Sequence, residues 1–145
     1  MNDRARIEAA IPHRPPMLLL DEIVASAEGQ IVARKTFGAD EFFVQGHYPG
    51  QPIVPGVILC EAAMQAGAVL ISESLESQTG LPVVTRMSDV KFRRIVRPGD
   101  TVTLDVTLDE RLADAFFLSA KIVCHDKVAA RLRFACTLAD DSNFE

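Results

Sequence analysis

The stretch Gly46–Ser77, GHYPGQPIVPGVILCEAAMQAGAVLISESLES, sets two opposite kinds of sequence side by side. Gly46 to Gly56 carry three prolines and three glycines, which predicts a loop with a tightly constrained path. Pro55 then suits the first turn of a helix, where its missing amide costs nothing, and no strong stop signal follows until Gly80 and Pro82. A helix is therefore expected from about Pro55 to Ser77. Between Val54 and Ile71 the sole charged residue is Glu61, and no polar stripe is visible, so this helix should be buried. Ala62, Ala63, Ala66, Gly67 and Ala68 allow other backbones to approach it, while Glu73 and Glu76 mark its return to solvent. A central helix wrapped by a sheet is the expected arrangement.

The flanking sequence supplies that sheet. Before the loop, Met17–Val24 and Gln30–Phe37 read as two short strands joined at the turn signal Glu28-Gly29. After the helix, Val83–Val96 reads as a strand ending at the Pro98-Gly99-Asp100 turn. Val102, Leu104, Val106 and Leu108 then alternate with threonine and aspartate, the pattern of a strand with one core face and one wet face. Ala115–Cys124 and Val128–Leu138 pair naturally around His125-Asp126-Lys127. Asp3–Ala10 suits a short helix closed off by Pro12 and the Pro15-Pro16 pair, and the polar tail from Asp140 to Glu145 should fray. Consecutive strands around one buried helix indicate an α+β fold rather than βαβ winding.

Composition bounds the rest. With 145 residues and 48% hydrophobic content, the chain suits a single domain over residues 1–145 that buries roughly two-thirds of its unfolded surface. A net charge of −5 argues against nucleic-acid or anionic-membrane binding driven by overall charge. The N-terminal residues lack the apolar run of a signal peptide, and no uncharged apolar span with transmembrane flanks is evident. Cys60, Cys124 and Cys136 sit in apolar stretches without metal-ligand spacing and read as reduced core thiols. A soluble, cytoplasmic setting is expected.

Glu61 is the first candidate for chemistry. A carboxylate in an apolar helix costs several kcal/mol unless it is paired or protonated. It is either a buried residue satisfied by neighbours or a group held ready to give and take protons. His47, in the constrained loop feeding that helix, strengthens the second reading. Fourteen residues before Glu61, it could meet the helix of its own chain or, in a dimer, that of a partner. The amides of Gly56 and Val57 lie at the positive end of the helix and could hold an oxyanion, although Gly56 could equally serve only to ease the turn. Gln65, one turn beyond Glu61, could orient the carboxyl or simply pack. His13 reads as a structural hydrogen-bonder and His125 as an exposed turn residue. Lys91, Arg93, Arg94 and Arg97 form one dense basic cluster, either a solvated strand edge or a dock for an acidic carrier. No metal-ligand trio, P-loop, Rossmann glycine pattern or Gly-x-Ser-x-Gly elbow appears in the sequence.

The segment GHYPGQPIVPGVILCEAAMQ closely resembles the FabZ-type 3-hydroxyacyl-ACP dehydratases, with support from IPHRPPMLLLDEIV and VKFRRIVRPGD. The motifs span about Ile11 to Asp100. The resemblance implies a hotdog fold, a homodimer as the unit, often three dimers in a hexamer, and His47 of one chain meeting Glu61 of the other. It further implies dehydration of a 3-hydroxyacyl group on acyl carrier protein, with no metal or redox cofactor and the phosphopantetheine belonging to the carrier. Glutamate rather than aspartate at position 61 favours the FabZ branch over the isomerising FabA branch. The chain departs from the common pattern at Gln51, where lysine is frequent, at Tyr48, where phenylalanine is frequent, and in the order Ala63-Met64, which moves bulk beside the expected acyl tunnel. A hotdog acyl-thioesterase and a non-catalytic carrier-binding subunit are the competing readings.

Overall fold

The computed structural model describes residues 2–75 and 80–140. The elements run α1 (Asp3–Ala10), β1 (Glu22–Ala27), β2 (Gln30–Thr36), α2 (Gly56–Ser74), β3 (Leu81–Phe92), β4 (Thr101–Leu112), β5 (Ala115–Cys124) and β6 (Lys127–Ala139). All strand pairs are antiparallel in one six-stranded sheet of order β1-β2-β4-β5-β6-β3. The last strand of the chain, β6, lies between β5 and β3, which leaves β3 at one edge and β1 at the other.

α2 packs on strands β2 through β6 and is the axis of the core. Leu59, Ala62, Ala63, Ala66, Val69 and Ile71 are essentially inaccessible and meet the inward residues of β4 and β5, including Val102, Leu104, Val106, Phe116, Leu118 and Ile122. Gly67 is needed for this closeness, since a Cβ there would lie 2.7 Å from the Phe134 ring of β6. By length and composition alone α2 could cross a membrane, with a mean hydropathy of 1.4 over 18 residues; in this fold 61% of that window is buried. One stripe stays open: Val57 is exposed and Ile58, Glu61 and Met64 are half-buried. The apolar residues thus serve the sheet on most sides, while the helix turns Glu61 toward a cleft.

The hairpins follow turn chemistry. Gly29 takes φ +77° between β1 and β2, and His125 and Asp126 take φ +51° and +62° between β5 and β6, the twist a two-residue connection needs. That makes Lys127 the first residue of β6 rather than part of the turn. β3 begins at Leu81 and ends at Phe92, with backbone pairing to β6 interrupted between Ser88 and Lys91. The expected strand from Met17 is corrected, because Met17–Asp21 stand outside β1. The backbone of Met17 and Leu19 is hydrogen-bonded by the Gln65 amide instead of by a neighbouring strand. The expected helix end at Glu76 and Ser77, and the tail beyond Asp140, lie outside the described residues.

Candidate active site

Glu61, Met64, Gln65 and Ala68 of α2 form one wall of a cleft of about 330 Å³. Ile11, Pro12 and His13 close one side, and Leu81–Val84 of β3 with Cys136 of β6 close another. Most of this lining is apolar, and the Glu61 side chain on it is half-buried. Gln65, 1% exposed, donates from Nε2 to Glu61 Oε2 at 2.9 Å and to the Met17 carbonyl at 2.7 Å, while its Oε1 accepts from the Leu19 amide at 2.9 Å. One side chain therefore ties the carboxyl of α2 to the segment before β1. His13 Nε2 lies 3.7 Å from the same oxygen, Oε2. Oε1 of Glu61 has no partner among the described residues and remains open to the cleft.

Sequence reading passed His13 over as structural, and the reason is physical: a residue 48 positions before Glu61 carries no periodic signal that it will face it. The local device that aims it is Arg14. Its guanidinium donates to the carbonyls of Glu8, Ile11 and His13 at 3.0, 2.9 and 2.7 Å, and its Nε lies 3.4 Å from the Glu8 carboxylate. This gathers Ile11–Arg14 into a fixed turn beside α2.

His47 sits in the loop between β2 and α2 and does not line the Glu61 cleft of its own chain. Its Nδ1 lies 3.1 Å from the Ile53 carbonyl, so Nδ1–H donates there and Nε2 is left as the basic nitrogen. The loop is pinned at both ends. The buried Lys35 reaches Glu41 at 2.7 Å, Glu41 accepts from the Gly38 amide at 2.8 Å, and Val54 pairs its amide with Val96 at 2.8 Å. Between these anchors Gly46 and Gly50 take φ +79° and +92°, and Tyr48, at φ +54°, adopts a conformation that non-glycine residues seldom hold. The imidazole is thus presented by backbone constraint, with the Tyr48 ring edge-on at 4.8 Å.

Gly56 and Val57 open α2 with no side-chain cap, and their amides have no intrahelical acceptor. The glycine at 56 has a packing reason that the sequence did not show: a Cβ would fall 2.7 Å from the Phe92 ring. Lys91, Arg93, Arg94 and Arg97 are all exposed. Lys91 and Arg93 line a groove on the outer sheet face with Arg131 and Arg133. Lys91, Arg131 and Lys121 stand in register across β3, β6 and β5, a row of like charges that neighbours make mutually repulsive. The basic patch is therefore wider than the cluster visible in the sequence, whereas Arg94 and Arg97 lie outside the groove.

The three cysteines are free and buried. Burial raises the Cys60 and Cys124 thiols and pushes Cys136, on the cleft wall, up to about 11. Asp100, Cys124 and His125 bring donor atoms within 4.8 Å of one another, a grouping that linear spacing did not reveal. Asp100 there is occupied as an acceptor for the Arg97 amide and for His125 Nε2 at 3.0 Å, and the His125 side chain is 77% exposed.

An antiparallel sheet wrapped around one apolar helix, with a carboxyl turned into a cleft at the helix surface, defines an α+β hotdog protein. The ApeI:P dehydratase heterocomplex of Xenorhabdus doucetiae shares this fold, with a TM-score of 0.81 at 18% identity and coverage of 95% of this chain and 93% of that one. The E. coli PaaI protein shares it with a TM-score of 0.63 at 22% identity, covering 79% and 80%. Residues 11–133 match the family described as FabA-like domain, and the chain belongs to that family. It is 41% identical to the 3-hydroxyacyl-(acyl-carrier-protein) dehydratase FabZ of Zymomonas mobilis over 97% of this chain and 91% of the relative. It is 45% identical to the FabZ of Oenococcus oeni over 72% of this chain and 76% of that protein.

Proposed function

We propose that this chain is a 3-hydroxyacyl-acyl-carrier-protein dehydratase of fatty acid synthesis, converting a (3R)-hydroxyacyl thioester to the trans-2-enoyl thioester with His47 and Glu61 as its acid-base pair. The single observation that carries the reading is Glu61, held at one oxygen by Gln65 and open at the other to an apolar cleft, in a chain of this family. Removing water requires loss of a C2 proton next to the carbonyl and protonation of the departing C3 hydroxyl. Neutral His47, with Nε2 free, takes the C2 proton, and Glu61 gives or directs the proton that leaves with the hydroxyl. The Gly56 amide, supported by Val57 at the helix start, polarises the thioester carbonyl as negative charge grows on it.

Because His47 does not line the Glu61 cleft of its own chain, the complete site is assigned to a homodimer in which each chain supplies one member of the pair. The β3 edge supports this, since Val84, Met87, Val90 and Phe92 expose apolar surface along a strand that pairs with β6 on one side only. Three such dimers would form the hexamer. The carrier protein brings its own phosphopantetheine, no metal or redox cofactor takes part, and the basic patch around Lys91, Arg93, Arg94 and Arg97 receives the carrier's acidic face. Reduced, buried thiols suit a cytoplasmic setting.

The test is to supply purified protein with a 3-hydroxyacyl-carrier substrate, or with its enoyl product, and to follow interconversion in the ultraviolet. Wild-type protein should establish the equilibrium, and His47→Ala and Glu61→Gln should each lower kcat by about a hundredfold or more. Normal turnover by either variant ends the assignment. Release of free thiol without dehydration would instead identify a thioesterase, and carrier binding without any conversion a non-catalytic subunit.

A further inference from the structure

We infer that His13 is a positioning residue for this reaction, holding one oxygen of the Glu61 carboxyl so that the other is presented to the substrate; the inference rests on the dehydratase reading above. Two observations outside the proposed pair lead to it. Nε2 of His13 faces Glu61 Oε2 at 3.7 Å, within ion-pair reach though longer than a hydrogen bond. Nδ1 is buried and has no hydrogen-bond partner among the described residues. A buried nitrogen left unpaired is uncommon and needs a reason.

The ring's tautomer supplies one. An unpaired buried N–H is costlier than an under-used lone pair, so the proton of a neutral His13 resides on Nε2, aimed at Glu61, and the bare lone pair is the one buried at Nδ1. Among the described residues of this chain lining the cleft outside α2, only His13 has a side-chain nitrogen to offer Glu61; the side chains of Ile11, Pro12, Leu81–Val84 and Cys136 have none. Oε2 is thereby approached by two donors from different elements, the Gln65 amide on α2 and the His13 imidazole on the Arg14-clamped turn. Both act on the same oxygen. Rotating the carboxyl would break the Gln65 hydrogen bond and carry Oε2 away from the His13 imidazole 3.7 Å off, so Oε1 is left as the working oxygen. This also accounts for the IPHR motif: Arg14 fixes the turn, and the turn aims the imidazole.

The test compares two amide replacements of similar polarity. His13→Gln places an amide nitrogen near the position of Nε2, and His13→Asn places it near Nδ1. With the same hydroxyacyl substrate, His13→Asn should lose about tenfold in kcat with KM within about twofold of wild type, and His13→Gln should lose less than about threefold. Equal impairment of the two variants, a loss expressed in KM alone, or unchanged kcat for His13→Asn would overturn the inference. Wild-type protein that does not dehydrate the substrate would overturn the dehydratase reading along with it. An active wild type with an unaffected His13→Asn variant would overturn this inference alone.

Discussion

Gln65 shows how much one side chain can bear. It is a polar residue within the core helix, and its three hydrogen bonds join α2 to the segment before β1 while orienting Glu61. Replacing it by methionine keeps the volume but strands the buried Leu19 amide, which should cost about 1–3 kcal/mol in urea or thermal unfolding. The same substitution frees the Glu61 carboxyl to rotate, so kcat should fall further than the stability loss explains. Measurement of both quantities at a temperature well below the new melting point checks this. Wild-type kcat in a folded Gln65→Met variant would remove Gln65 from the site. Glu61 could be recognised in the sequence because a charge in an apolar run is conspicuous, whereas the bond to Gln65 was one of two open readings and the approach of His13 was not visible at all.

At the scale of elements, β6 ties core packing to the cleft. Its Cys136 is 1% exposed, lines the cleft, and has its thiol pushed up to about 11 by burial, against an ordinary value of 9.0. The folded state therefore favours the protonated thiol. Its contribution is fully present below pH 9.0 and is lost as pH rises through about 11, amounting to about 3 kcal/mol. Denaturant unfolding should show this alkaline decline, and Cys136→Val should reduce its depth without abolishing it, since burial also raises Cys60 and Cys124. An identical decline in the variant would show that the thiol does not contribute. The element also explains a boundary that sequence patterning misplaced. Met17–Asp21 are as apolar as a strand, but the Met17 carbonyl and the Leu19 amide take their partner from α2, and a local pattern cannot say which element will supply a hydrogen bond.

For the whole molecule, the proposed pairing of His47 with Glu61 would make assembly a condition of activity, because His47 does not line the Glu61 cleft of its own chain. If each site takes His47 from one subunit and Glu61 from the other, a co-refolded equal mixture of His47→Ala and Glu61→Gln chains forms half its dimers as hybrids. Each hybrid holds one intact site, and the mixture should regain about a quarter of wild-type activity although both parents are inactive. No recovery after verified subunit exchange would place both residues within one chain. Surface charge belongs to this scale too. Reversal at Arg93 and Arg94 should weaken carrier-protein affinity and flatten its dependence on salt, and unchanged binding at low salt would remove that patch from the carrier site.

Taken alone, the sequence determined the buried helix, the alternating strands, the turn sites and the two conspicuous polar residues, His47 and Glu61. Each of these rests on spacing along the chain: a 3.6-residue or two-residue period, a breaker, or a charge among apolar neighbours. Tertiary structure alone decided that β6 enters between β5 and β3, that Phe92 occupies the space Gly56 leaves, that Lys121 and Arg131 widen the basic patch, and that His13 faces Glu61. Those are contacts between residues far apart in the chain. Their partners are chosen by packing and sheet register, which no local period records.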